Sequence, residues 1–353
     1  MEKAVSVDSI NFLDAIAALP DQLDPAVTVA QGVDLSGVSR PDAINRVVVL
    51  GMGGSGIAGD VVGAVGGNSV PIIIKQGYRA PEYLDSKSLV FALSYSGNTE
   101  ETLSMTKGAV DSGASVIAVS CGGALGNLVT ESGGVLVPCP SGLMPRAALG
   151  ALVAPLLVIL ERLNLRADSA ADIKRAYEQL SKRRDQCVPK MTGPKNPARE
   201  LARMIGRTIP LIYGGGSIGG LAARRFKNDI NENAKAPAFW AMYPELNHNE
   251  ICGWGQHGDV TRQIFSLVQL RHQDEHPRLA KQMALSRSLT EEVFVQVIEV
   301  EAQGEGRLAQ LLDLMYLGAW TSCYLALDND VDPGPIDAIA QLKSSLGSFV
   351  PER

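Results

Sequence analysis

RVVVLGMGGSGIAGD, residues 46–60, joins an apolar run to a glycine-rich turn and then to a segment of small and branched residues. The run Arg46–Leu50 has no polar alternation, so it suits a strand covered on both faces, which is the pattern of a parallel sheet. The glycines allow a tight turn into a helix. Strand, turn and helix together are one repeat of a doubly wound α/β fold. Glycines at 51, 53 and 56 read G-x-G-x-x-G. Two meanings stay open for that spacing alone: a tight turn, or a phosphate cradle made of backbone N–H groups at a helix start.

Working outward, the same rhythm continues. Val70–Lys75, Ser88–Ser94, Ser115–Ser120 and Gly134–Pro138 read as further short parallel strands, with helices starting near Gly56, Thr99 and Gly123. Ala147–Leu163 reads as a long buried helix and Asp168–Arg184 as a charged amphipathic one. The stretch PKMTGPKNP (residues 189–197) reads as linker. Beyond it, TIPLIYGGGSIGGLA (Thr208–Ala222) restarts the opening theme, with Gly214, Gly216 and Gly219 in the positions of Gly51, Gly53 and Gly56. Strands are expected at Ala236–Met242, Gln263–Arg271 and Glu292–Val300, and helices at Leu308–Leu327 and Ile336–Leu346. The expected architecture is α/β, with two doubly wound, flavodoxin-like parallel-sheet domains in tandem: 1–167, a helical linker region 168–197, and 198–353.

Bulk properties narrow the function. With 353 residues, 46% of them hydrophobic, the chain can bury two cores of ordinary size. The net charge of −6 and the lack of a basic block argue against nucleic-acid binding. The five cysteines are scattered with no C-x-x-C pair, so neither a disulfide framework nor a zinc site is expected, and a reducing cytoplasmic setting fits. The N-terminus lacks the basic start and apolar core of a signal peptide, and no membrane association is expected.

A dinucleotide site would call for an acidic residue about twenty positions after the first glycine. The second strand ends at Lys75 and Gln76 instead, which weakens a dehydrogenase reading. SYSGNTEET (Ser94–Thr102) crowds Ser94, Ser96 and Thr99 at a strand-to-helix junction. A plain helix cap needs only one of those hydroxyls, so an anion pocket is favoured. In PELNHNE (Pro244–Glu250), His248 stands among polar neighbours able to fix its tautomer; structural and catalytic roles both remain open.

GMGGSGIAGD, SYSGNTEET, PRAALG, NENAK and PELNHNEICGW, in that order along nearly the whole chain, resemble the bifunctional phosphoglucose/phosphomannose isomerases, built from two sugar isomerase (SIS) domains. SGNTEET is common to sugar isomerase domains, whereas the NENAK and PELNHNE pair is narrower. The resemblance implies a metal-independent aldose–ketose isomerase of glucose 6-phosphate, mannose 6-phosphate and fructose 6-phosphate that works through a cis-enediol. Glu232 would shuttle the proton between C1 and C2. His248, contributed by the partner subunit of a homodimer, would assist ring opening. Lys343 would act at the ring oxygen and Arg146 would stabilise the anionic intermediate. Gly54, Ser55, Ser94, Ser96 and Thr99 would hold the phosphate. No cofactor and no metal are implied, and sugar phosphates are the expected partners. Two departures stand out: GGSGIAGD where the family pattern is GGSAIGGD, and a looser second loop. The alternative reading is a sugar-phosphate sensor that has lost turnover.

Overall fold

The computed structural model describes residues 7–38 and 41–347. The chain forms two compact units. One comprises Ala18–Ile173 with Gln341–Arg353, and the other Met1–Ala17 with Lys174–Ala340. Each is built on its own parallel sheet.

The sheet of the first unit contains β1 (Arg46–Gly51), β2 (Ile72–Lys75), β3 (Ser88–Leu93), β4 (Ser115–Ser120) and β5 (Val135–Pro138), in the order β2-β1-β3-β4-β5. All neighbours are parallel; Val47 of β1, for example, pairs with Ile72 on one side and Leu89 on the other. Apolar residues on both faces are what place β1, β3 and β4 inside. Val48, Leu50, Val90, Ala92, Val116 and Ala118 pack with Met105, Ala109, Leu125 and Val129, which come from the helices Glu100–Asp111 and Gly123–Glu131. The opposite face meets the helix Gly53–Val65, whose Gly59 lies directly on the Val49 side chain. The helix Leu149–Arg162 packs on Gly53–Val65 and is buried all round from Leu149 to Leu160, as its unbroken apolar sequence demands. Among the described residues, no helix is long and apolar enough to cross a membrane.

The second unit repeats the plan. β6 (Ile209–Gly215), β7 (Phe239–Tyr243), β8 (Phe265–Arg271) and β9 (Gln296–Glu301) are parallel in the order β7-β6-β8-β9. This is the order of the first sheet without its last strand. The helix Arg307–Asp328, buried from Leu308 to Leu327, packs against the helices Gly216–Asp229 and Pro197–Ile205. Its Asp313 accepts from the Arg183 guanidinium at 2.8 and 2.7 Å and from Gln179 Nε2 at 2.8 Å, so this buried carboxylate is fully paired.

Several boundaries differ from the sequence expectation, each for a local reason. β7 starts at Phe239, two residues after Pro237, a residue that cannot donate to the ladder. The start of the expected Gln263–Arg271 strand belongs to the helix Gly258–Ile264, and the start of Glu292–Val300 to a short 3-10 turn, Glu291–Val293. The proline-rich segment at 189–197 is pinned rather than loose. Fully buried Asn196 donates to the Cys187 and Met191 carbonyls and caps the helix Pro197–Ile205 through the Ala198 and Arg199 N–H groups.

Candidate active site

In each sheet the chain leaves the first strand toward one edge and then crosses back to the other side. Loops that follow the first and third strands therefore diverge and open a crevice outside the strand carboxyl ends. In the first sheet those are the loops after β1 and β3.

After β1 the helix Gly53–Val65 begins at once, three residues earlier than the sequence suggested, so Gly54 and Ser55 fall in its first turn. Met52, the capping residue, makes no side-chain cap bond. The first intrahelical bond is from Gly56 N–H to Met52 C=O at 3.1 Å, which leaves the preceding N–H groups without helical partners and a partial positive charge at the turn. The Ser55 hydroxyl accepts the Tyr95 N–H at 3.4 Å and ties this loop to the next one. A Cβ on Gly56 would sit 2.6 Å from the Gly51 oxygen and 2.9 Å from Gln76 Nε2. Glycine is thus demanded here by close approach, and the departure from the family pattern alters packing as well as stiffness.

After β3, buried Ser94 places its hydroxyl 2.8 Å from that of Thr99 and accepts the Gly97 N–H at 3.1 Å. Thr99 caps the helix Glu100–Asp111 by position only; its side chain makes no cap bond and turns to Ser94 instead. The plain-cap reading therefore fails at this residue. Ser96 is exposed on the same turn and accepts the Asn98 N–H at 3.3 Å. Uncapped helix starts, together with hydroxyls that can donate, suit a dianionic phosphate. The Tyr78 hydroxyl donates to Glu100 in a short bond, and that bond, ahead of desolvation, pushes the phenol up to about 12.

Arg146 belongs to the same unit. It lies on the 3-10 turn Pro145–Ala147 after β5 and is 8% exposed. Gln22 holds the far side of this turn, donating to the Ala147 carbonyl at 2.6 Å and accepting the Ala151 N–H at 3.2 Å.

Glu232 and His248 belong to the other unit. The helix Gly216–Asp229 does not stop at Asp229 but passes into a π-helical turn, Ile230–Ala234, with Glu232 at its centre. Such turns carry one extra residue and recur at functional sites. The flanking asparagines fix it: buried Asn233 donates to the Ser322 hydroxyl at 2.9 Å, and Asn231 to the Ala236 carbonyl at 2.9 Å. Lys235, with a left-handed φ of 52°, ends the turn and donates to the Asp332 carbonyl at 2.7 Å. Among the described residues, the Glu232 carboxylate, half-buried, has no hydrogen-bond or ion-pair partner.

His248 ends the 3-10 turn Glu245–His248 and is exposed. Its polar neighbours bond elsewhere. Asn247 accepts from Ser286 at 2.6 Å, Asn249 donates to Glu245 at 3.1 Å, and Glu250 accepts the Tyr213 hydroxyl. Burial first, then Glu250, raises the Tyr213 pKa. Among the described residues the His248 ring has no hydrogen-bond partner, so the expected fixing of its tautomer by neighbours is not realised within one chain. Lys343 stands on the exposed final helix, Asp337–Leu346.

The second glycine turn differs chemically from the first. Ser217 Oγ accepts from Arg307 at 3.4 Å, and in the loop after β8 Asp274 pairs with Arg307 and Glu275 with Arg271 at 2.7 Å, so the cations beside this turn are already engaged by protein carboxylates. That loop also contains an H-x-x-E-H spacing at His272, Glu275 and His276, and the turn a G-x-S-x-G spacing at Gly215–Gly219, neither anticipated above. Zinc binding through H-x-x-E-H needs both histidines on one helix face. Here His272 lies in the loop with Nε2 at 3.0 Å from the Gly215 oxygen, His276 only caps the next helix, and Glu275 pairs with Arg271. Among the described residues, no group of three or more His, Cys, Asp or Glu could hold a metal ion.

A family model described as the bacterial phospho-glucose isomerase C-terminal SIS domain matches residues 194–346. The chain is 36% identical over 340 residues to the bifunctional phosphoglucose/phosphomannose isomerase of Caldicellulosiruptor bescii, covering 96% of this chain and 99% of that protein. To the protein of the same description from Aquifex aeolicus it is 30% identical over 303 residues, covering 85% and 90%. A solved structure, the C-terminal domain of glucosamine-fructose-6-phosphate aminotransferase from Francisella tularensis, shares the fold with a TM-score of 0.68 at 17% identity, covering 93% of this chain and 99% of that one.

Proposed function

The chain belongs to the bifunctional phosphoglucose/phosphomannose isomerase family and is an aldose–ketose isomerase, and from that premise we propose that it interconverts glucose 6-phosphate and mannose 6-phosphate with fructose 6-phosphate through a cis-enediol, without a metal ion. The observation that carries this mechanism is Glu232, a carboxylate that has no partner among the described residues and stands on a π turn fixed from both sides.

In the open-chain aldose, Glu232 takes the C2 proton. The C–H electron pair becomes the C1–C2 double bond and negative charge gathers on O1. The Arg146 guanidinium supplies positive charge where it develops, which is the service a Lewis-acidic metal would otherwise give. Glu232 then delivers its proton to C1 while the O2 hydroxyl proton passes to O1, giving the ketose. One carboxylate serves both carbons because they are adjacent. Gly54, Ser55, Ser94, Ser96 and Thr99 hold the phosphate, remote from the reacting carbons, and so orient the sugar. Lys343 acts at the ring oxygen.

His248 assists ring opening from the partner subunit of a homodimer. Two features support this part. Among the described residues, the His248 ring bonds to nothing in its own chain. Just before it, edge strand β7 exposes Phe239 at 55% and Trp240 at 39%, apolar surface of the kind that subunit contacts cover. Five free cysteines favour a cytoplasmic setting.

The test is a coupled assay with each aldose 6-phosphate, with and without a chelator. Equal turnover in both conditions is expected. No turnover with either aldose overturns the isomerase reading, and loss of turnover on chelation overturns metal independence.

A further inference from the structure

Tyr95 sits between two serines assigned to the phosphate site, yet its side chain points away from them and is 6% exposed. The hydroxyl makes two bonds, both to one distant loop. It donates to the Pro140 carbonyl at 2.7 Å and accepts the Leu143 N–H at 2.7 Å. Three residues after Leu143 comes Arg146. The main chain of Tyr95 is tied as well: its N–H goes to Ser55 Oγ at 3.4 Å, and its carbonyl accepts the Cys121 N–H at 2.9 Å. One residue therefore joins four segments: its own turn after β3, the turns after β1 and β4, and the loop that leads to Arg146.

On that side the loop has one further side-chain tie, from the Cys121 thiol, which donates to the same Pro140 carbonyl at a longer 3.5 Å. Residues 140–142 are exposed, and Gly142 at the tip has a φ of +89° with open space around it. On the far side of Arg146, Gln22 already clamps Ala147 and Ala151. The turn Pro145–Ala147 is thus held at both ends, by Gln22 after it and by Tyr95 before it. Desolvation first, then the contact with Cys121, pushes the Tyr95 phenol up to about 12, so the hydroxyl keeps its proton and its double role throughout the neutral range.

We propose that Tyr95 is a positioning residue of the isomerase: by bridging Pro140 and Leu143 to the phosphate loops, it sets Arg146 at a fixed place relative to the bound phosphate. This rests on the role given above to Arg146, which meets the enediolate and not the resting sugar. Its correct placement therefore bears on the transition state far more than on substrate binding. A displacement of about 1 Å at such a group can cost about a hundredfold in rate.

The experiment compares Tyr95→Phe with the wild type in full-length protein. The phenylalanine keeps the buried ring and removes both bonds. A kcat lower by about tenfold to a hundredfold is expected, with KM within about twofold, because an interaction specific to the transition state has been weakened. Binding of a hexitol 6-phosphate, which has the phosphate but no carbonyl, should be unchanged. Binding of a hydroxamate sugar phosphate, a planar mimic of the enediolate, should weaken in step with kcat. In an Arg146→Ala background the same substitution should change kcat by less than about twofold, since the two act through one path. Gly142→Ala strains the loop from its exposed tip and should show the same split between kcat and KM, which covers the case of a poorly folding Tyr95→Phe. An unchanged kcat in these variants, equal loss of both ligands, or a full effect of Tyr95→Phe without Arg146 each overturns the proposal. A wild type inactive on both aldoses overturns the isomerase reading instead, so the two failures are told apart.

Discussion

Glu232 and Thr99 put the chemistry at the scale of single residues. Replacing Glu232 by Gln keeps the shape and the π turn but removes the base. General-base catalysis is worth about a hundredfold to ten-thousandfold, so kcat should fall within that range while fructose 6-phosphate still binds, as calorimetry would show. A sensor that never turned over would show no such contrast. Thr99→Val separates capping from anion binding. The Thr99 hydroxyl bonds Ser94 and does not cap its helix, so the melting temperature should hardly move. Loss of a hydroxyl that donates to a charged phosphate should raise KM by about tenfold. A several-degree drop in melting temperature with unchanged KM would restore the capping role.

At the scale of elements, the π turn Ile230–Ala234 is the feature that aims Glu232. Deleting Asn231 removes the extra residue, returns the segment to α geometry and swings the carboxylate by roughly one helical position. The expected outcome is loss of at least about a hundredfold in kcat with the sheet intact, read by assay and circular dichroism. Activity close to wild type would show that the π geometry is incidental. This turn also marks the limit of what the sequence discloses. NENAK announced Glu232 as a candidate, but periodicity cannot register a single extra residue inside a helix. β4 was legible end to end, because Ser115–Ser120 is an apolar run buried on both faces. The helix Pro277–Thr290 was not, since it buries only Met283, Ser286 and Thr290 and has no apolar stripe. For the helix Pro197–Ile205 a signal existed in Asn196 followed by Pro197, a capping residue and a proline at the first turn, but it was hidden in a stretch that reads as linker. The Tyr95 hydroxyl was out of reach altogether, because its partners lie 45 and 48 residues away and meet it only once β3, β4 and β5 align.

The whole molecule raises the question of how many chains complete one site. If His248 serves the partner's substrate, a mixture of inactive Glu232→Gln and His248→Ala proteins, unfolded and refolded together, should regain activity. Random pairing makes half the dimers mixed, each with one intact site, so about a quarter of wild-type turnover should return. No recovery would place His248 and Glu232 of the same chain at one site. The two sheets share the order of their first four strands, yet the residues proposed to hold the phosphate all lie on the first; in the second, Arg307 engages the Ser217 hydroxyl and pairs with Asp274. Selection therefore meets two targets, one on each sheet. Codons of one half can drift and be tested on new sugars while the other half goes on supplying an unaltered handle for any hexose that carries a terminal phosphate.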